Sequence, residues 1–146
     1  MRWKMGSNPQ ASSETILVID DMPELLKMLK KQLEYWQYRV LVASSGEEGL
    51  AIAAAEHPNL ILLDVLLPKM KGREICRRLK ANAKTHDIPV IFLTALGLAD
   101  HIKVGLDLGA EDYVIKPFHP ADLRERITVC LLRHRTPSAS PERREH

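Results

Sequence analysis

The chain has 146 residues, enough for one domain, and 45% of them are hydrophobic. From Glu14 to Cys130 there are 15 Lys and Arg residues against 17 Asp and Glu residues, so this part carries a net charge of −2 and the overall charge of +2 comes from the two ends. A mildly acidic centre argues against direct nucleic-acid binding by this domain. No apolar run approaches the roughly 20 residues of a membrane span, so we expect no membrane association.

Five short apolar runs predict five buried strands. In chain order they are Ile16–Ile19, Val40–Ala43, Leu60–Leu63, Val90–Leu93 and Tyr113–Ile115. Because the runs are continuous rather than alternating, the sheet that they predict is covered on both faces.

Helical patterns lie between and after these strands. The first predicted helix begins near Pro23, the second follows a capping box of Ser45 and Glu48, the third contains Ile75 and Leu79, the fourth contains Ile102 and Leu106, and the fifth begins at Pro120. Strands that alternate with helices predict a parallel sheet with right-handed crossovers.

The domain is predicted to span residues 14–132. Residues 1–13 lack the apolar stretch of a signal peptide, and we expect a disordered leader or tag. Residues 133–146 are rich in Pro, Ser and Arg, which predicts a disordered tail or the stub of a linker.

The cysteines and histidines give no metal signal at this stage. Cys76 and Cys130 fall in predicted helices, and their spacing suggests neither a metal site nor a redox pair. We expect two buried, reduced thiols in a cytosolic protein. None of the six histidines is expected to belong to a ligand set.

Polar side chains follow four of the five strands. They are Asp20 and Asp21 after the first, Asp64 after the third, Thr94 after the fourth and Lys116 after the fifth. In doubly wound sheets, ligands bind at the carboxyl ends of the strands. Two adjacent carboxylates at about 4 Å repel by roughly 4 kcal/mol at an effective dielectric constant near 20, so a compensating group is expected. Clustered carboxylates are suited to bind Mg²⁺, which commonly also binds a phosphate group. The lysine ammonium can pair with a phosphate oxygen.

Four segments resemble the receiver domain of bacterial two-component response regulators. They are LVIDD, LILLDVLLPKMKG, PVIFLTA and GAEDYVIKPF. The successive intervals are 43 residues from Asp21 to Asp64, 30 from Asp64 to Thr94 and 22 from Thr94 to Lys116. The resemblance implies an α/β fold: a three-layer, doubly wound, five-stranded parallel sheet of order 2-1-3-4-5, flavodoxin-like.

The resemblance also implies a phosphoacceptor and a metal site. Asp64 is expected to accept a phosphoryl group from a phosphohistidine on a sensor histidine kinase or a phosphotransfer protein. Mg²⁺ is expected to be held by Asp21, Asp64 and the backbone carbonyl of Leu66, with Asp20 acting mainly through water. The domain would be no enzyme beyond its own phosphorylation and dephosphorylation, and it would be cytoplasmic.

Further roles follow from the same resemblance. Lys116 would hold a phosphate oxygen, and the bond between Lys116 and Pro117 would be cis. Thr94 and Tyr113 would form a switch pair that alters an output surface on the fourth predicted helix, the fifth strand and the fifth predicted helix. Partner binding or homodimerisation is expected at this surface, which carries His101, Lys103, Glu111, Arg124 and Glu125.

Two other functions also use such a sheet. An enzyme that binds nucleotides needs a Gly-rich turn after the first strand, where this chain has DDMPE, and a dehalogenase-like phosphatase needs a D-x-D pattern at the first strand. A receiver-like module that is never phosphorylated is the second alternative, and the intact set of polar strand ends argues against it.

Overall fold

The computed structural model describes residues 14–65, 72–95 and 109–135, with the side chains of residues 94 and 95 outside that description. The strands are β1 (Thr15–Ile19), β2 (Arg39–Ala43), β3 (Leu60–Asp64), β4 (Val90–Ala95) and β5 (Asp112–Lys116). The helices are α1 (Pro23–Tyr35), α2 (Gly46–Glu56), α3 (Gly72–Ala81) and α4 (Pro120–Arg135).

The five strands form one parallel sheet in the order β2-β1-β3-β4-β5, which confirms the predicted topology. Each strand agrees with its predicted run to within two residues at either end. The fourth predicted helix, Leu66 and residues 1–13 and 136–146 lie outside the described residues.

Two apolar layers cover the sheet. On β1, Leu17 and Ile19 point into a cluster shared with α2 and α3, whereas Ile16 and Val18 point into a cluster shared with α1 and α4. All four of these side chains are fully buried. Burying each one stabilises the fold by about 1.5–3 kcal/mol relative to exposure, so both faces drive folding. This arrangement confirms the three-layer, doubly wound prediction.

The last helix runs further than the sequence predicts. α4 ends at Arg135, three residues beyond Leu132, the last residue before the predicted tail. Its last turn is basic, and cations at this end complement the helix dipole. Within the part of the chain that the structure describes, no helix has the length and apolar character needed to cross a membrane.

Candidate functional site

The polar residues at the strand ends meet at one edge of the sheet, which we call the acidic rim: Asp20, Asp21, Asp64 and Lys116. Asp20 and Asp21 follow β1, Asp64 is the last residue of β3 and Lys116 is the last residue of β5. Because all five strands are parallel, their carboxyl ends lie on the same side, and the sheet itself sets the spacing of these side chains.

The three carboxylates of the acidic rim are close together. One oxygen from each of Asp20, Asp21 and Asp64 lies within 4.8 Å of the others. Lys116 Nζ lies 3.0 Å from Asp20 Oδ2 and 3.7 Å from Asp64 Oδ2. Asp20 is fully buried, Asp64 is 7% exposed and Asp21 is exposed, so the cluster opens to solvent on the side of Asp21.

The buried Asp20 has a partner for each oxygen. Oδ1 accepts a hydrogen bond from the backbone N–H of Met22 at 3.0 Å, and Oδ2 accepts one from the Lys116 ammonium at 3.0 Å. A buried carboxylate needs such partners, since leaving a buried charge unpaired costs about 3–5 kcal/mol. The same two bonds fix the Asp20 side chain and anchor the lysine beside Asp64.

The donor set of the acidic rim fits a hard divalent cation. Three carboxylates and one ammonium give a formal charge of −2 within a few ångströms, which a doubly charged ion would neutralise. All three candidate ligands are carboxylate oxygens, which Mg²⁺ prefers. Asp20, Asp21 and Asp64 are therefore the described residues that could hold the ion. The predicted third protein ligand, the Leu66 carbonyl, lies outside the described residues.

Gly72 packs against the backbone beside Asp64, a role that the sequence pattern does not indicate. The Gly72 N–H donates to the Val65 carbonyl oxygen at 2.8 Å. A β-carbon at Gly72 would lie 2.7 Å from Val65 Cα and closer still to the Asp64 carbonyl oxygen. Because these are backbone atoms, only glycine allows the start of α3 to pack here. A Lys-Gly pair just before a predicted helix was the available signal.

The remaining predicted site residues belong to β4, β5 and the residue after β5. The peptide bond between Lys116 and Pro117 is cis, the geometry that the resemblance implies. Tyr113 is partly buried against the α2–α3 layer, and Arg126 Cζ lies 5.8 Å from the centre of its ring. The Thr94 backbone pairs with Ile115 across β4 and β5, and the Thr94 side chain lies outside the described part of the chain.

A doubly wound parallel sheet with three carboxylates and a lysine at its carboxyl edge defines a receiver-type α/β domain. The family model "Response regulator receiver domain" matches residues 16–128. The chain belongs to this family, the receiver domains of two-component response regulators.

Curated relatives agree with this assignment. The chain is 46% identical over 132 residues to "Probable transcriptional regulator ycf27" of Cyanophora paradoxa, covering 90% of this chain and 54% of that protein. It is 42% identical over 120 residues to the phosphate regulon transcriptional regulatory protein PhoB of Pseudomonas aeruginosa, covering 82% of this chain and 52% of that protein. The chain thus spans about half the length of the curated relatives that it matches.

A solved structure shares the fold at lower identity. The response regulator receiver domain protein from Clostridium thermocellum superposes with a TM-score of 0.79 at 34% identity, covering 84% of this chain and 97% of that one.

Proposed function

We propose that this receiver domain is a phosphorylation-controlled switch whose phosphoacceptor is Asp64. One observation carries the proposal: Asp20, Asp21 and Asp64 lie together within 4.8 Å, with the Lys116 ammonium 3.7 Å from Asp64 Oδ2. A nucleophilic carboxylate, a metal-binding acidic pair and a cation for phosphate are the parts that phosphoryl transfer to an aspartate needs.

The transfer uses few groups of the protein. An oxygen of Asp64 attacks the phosphorus atom of a phosphohistidine, the new O–P bond forms as the N–P bond breaks, and the histidine leaves with its electron pair. Lys116 Nζ binds Asp20 and keeps further N–H groups for a phosphoryl oxygen. Mg²⁺, when bound to the acidic rim, supplies charge neutralisation for the phosphoryl oxygens. Hydrolysis of the acyl phosphate resets the domain.

We further propose that Thr94 and Tyr113 carry the signal to an output surface on the fourth predicted helix, β5 and α4. Moving a two-state equilibrium from mostly off to mostly on takes about 5.5 kcal/mol, whereas one charge-assisted hydrogen bond gives about 1.5–3 kcal/mol. The Thr94 hydroxyl therefore needs help from Lys116 and the metal. The contacts of Arg126 support a coupling between β5 and α4, because its guanidinium lies over the Tyr113 ring and 2.8 Å from Asp112 Oδ1.

The proposed partners follow from family membership. A sensor histidine kinase or phosphotransfer protein would donate the phosphoryl group, and the output surface would bind a partner or a second copy. We place the domain in the cytoplasm, as an acceptor rather than an enzyme acting on other substrates. Since PhoB of Pseudomonas aeruginosa is named a transcriptional regulatory protein and the match covers 52% of it, any DNA binding would be the task of another domain.

Intact-protein mass spectrometry after incubation with acetyl phosphate and Mg²⁺ tests the phosphoacceptor. The wild type should gain one phosphoryl group and Asp64→Asn should gain none. Asp87→Asn is the matched control, because this exposed carboxylate precedes β4 at the opposite end of the sheet. Equal incorporation in Asp64→Asn would refute the assignment, and no incorporation in the wild type would favour the module that is never phosphorylated.

Amide hydrogen exchange on the same samples tests the output surface. On phosphorylation, changes should concentrate between residues 94 and 128. Changes confined to α1 and α2 would contradict the proposed route.

A further inference from the structure

A second group of metal-ligating side chains lies at the opposite end of the sheet from the acidic rim. Glu111 directly precedes β5, and Cys130 and His134 belong to α4. One ligand atom from each lies within 4.8 Å of the others. The sequence did not indicate this group: Cys130 and His134 are four residues apart on one face of a helix, and only the fold brings Glu111 to them.

The distances suit a tetrahedral metal ion. His134 Nε2 lies 3.1 Å from Glu111 Oε1. Two N or O ligands at 2.0–2.1 Å from one tetrahedral zinc ion are about 3.3 Å apart, and a thiolate sulfur at 2.3 Å is about 3.6 Å from such a ligand. The Glu111 and His134 atoms are therefore already near the required separation. Since the ligand atoms of the group lie within 4.8 Å of one another, the Cys130 sulfur has to move closer to the other two by at most about 1.2 Å.

Arg133 orients the Glu111 carboxylate toward His134. Its Nη1 lies 2.9 Å from Glu111 Oε2, which leaves Oε1 directed at His134. Metal-binding side chains are commonly oriented by such a hydrogen bond to the atom that does not ligate. The arginine can keep this bond when an ion binds Oε1.

The group is accessible to an ion from one side. Cys130 is buried, whereas the side chains of Glu111 and His134 are 24% and 35% exposed. The thiol thus lies on the buried side of the group, and the exposed side, formed by Glu111 and His134, leaves room for a water molecule as a fourth ligand.

We propose that Glu111, Cys130 and His134 form a site for a borderline transition-metal ion such as Zn²⁺. A thiolate, an imidazole and a carboxylate suit Zn²⁺ or Co²⁺, whereas Mg²⁺ prefers oxygen ligands alone. On binding, the Cys130 thiol releases its proton to solvent and the sulfur donates to the metal. The two ends of the sheet would therefore select different metals, and this site does not depend on the proposed phosphorylation.

Titration of the full chain with Co²⁺ tests the site, in excess Mg²⁺ and with a reductant that contains no thiol. The wild type should bind one equivalent with a thiolate-to-cobalt charge-transfer band, and Zn²⁺ should displace it. Cys130→Ser should lose the band, whereas the matched control Cys76→Ser, also buried in a helix, should keep it.

His134→Gln is the second variant, in case Cys130→Ser does not fold. His134 is at the surface, so its replacement should leave folding intact. Its affinity for Co²⁺ should fall about tenfold or more, since even the loss of an outer partner costs 10–100-fold. His86→Gln, at an exposed histidine outside the group, should bind like the wild type. The proposal is overturned if the wild type shows no band, if the band survives in Cys130→Ser, or if Asp64→Asn removes the binding.

Discussion

Asp20 and Asp21 are neighbours in the sequence and have different surroundings. Asp20 is fully buried, and both of its oxygens accept hydrogen bonds. Asp21 is exposed and adds negative charge to the group without contributing to the lysine contact described for Asp20. At the scale of single residues, one carboxylate therefore positions Lys116, while the other is suited to bind an incoming cation.

This difference predicts that replacing Asp by Asn has opposite effects on the melting temperature at the two positions. In chelator, Asp21→Asn should raise the melting temperature by a few degrees, because it removes repulsion within the acidic rim. Mg²⁺ binds the folded site and should raise the melting temperature of the wild type by mass action, but not that of Asp21→Asn. The control Asp20→Asn should melt lower in chelator, since Lys116 loses the nearer of its two charged partners. An unchanged melt of Asp21→Asn in chelator, with the Mg²⁺ response intact, would contradict this account.

At the scale of elements, the start of α2 shows how a local signal becomes structure. Ser45 is the N-cap, and its hydroxyl accepts from the Glu48 N–H at 3.2 Å, as the predicted capping box requires. Glu48 Oε1, however, accepts from the backbone N–H of Ser44 at 2.9 Å rather than from that of Ser45. The carboxylate thus holds the chain one residue before the cap.

These bonds predict unequal effects at two adjacent serines. Ser45→Ala should lower the free energy of unfolding by about 1 kcal/mol, because a backbone N–H of the first turn loses its acceptor. Ser44→Ala should lower the free energy of unfolding by only a few tenths of a kcal/mol. Its backbone N–H still binds Glu48, and the lost contact between the Ser44 hydroxyl and Glu48 Oε1 is exposed and long at 3.3 Å. Urea denaturation of both variants measures the difference. Equal losses would indicate that the hydroxyl of Ser45 is not the stabilising acceptor.

The sequence predicts elements better than it predicts the contacts between them. The strands were predictable because each is a continuous apolar run that both helix layers bury, as β1 shows. The end of α4 was not predictable in this way, because the Pro-, Ser- and Arg-rich composition after Leu132 predicts a disordered tail. In the structure, Arg133 and His134 bind Glu111, and Arg135 binds Glu14, so tertiary ion pairs hold the last turn. The four-residue spacing of Cys130 and His134 puts them on one face only if the helix extends through His134, which the sequence does not predict.

At the scale of the whole molecule, the sheet joins the two apolar layers, and a clamp between distant parts of the chain holds α4 to the start of β1. Arg135 Nη2 lies 2.7 Å from Glu14 Oε1, linking the end of α4 to the residue before β1. Cys76 belongs to the α2–α3 layer and Cys130 to the α1–α4 layer. The reactivity of each thiol therefore measures the opening of a different face of the sheet.

The last prediction is that both thiols react with an alkylating reagent only when the whole domain unfolds. Burial raises the pKa of Cys76, and burial followed by the nearby Glu111 raises the pKa of Cys130 to about 12, so both are protonated at pH 8. In chelator, the two cysteines should be labelled at one rate with the same urea dependence, because a small single domain unfolds cooperatively.

Peptide mass spectrometry after timed alkylation gives the two rates separately, and Arg135→Gln provides a sharper comparison. Loss of the clamp should accelerate labelling of both cysteines by the same factor if α4 opens only with the rest of the domain. Arg78→Gln is the matched control, because it removes an exposed ion pair within α3 alone and should change neither rate appreciably. If Arg135→Gln accelerates Cys130 and leaves Cys76 unchanged, α4 opens locally and the two layers do not unfold as one unit.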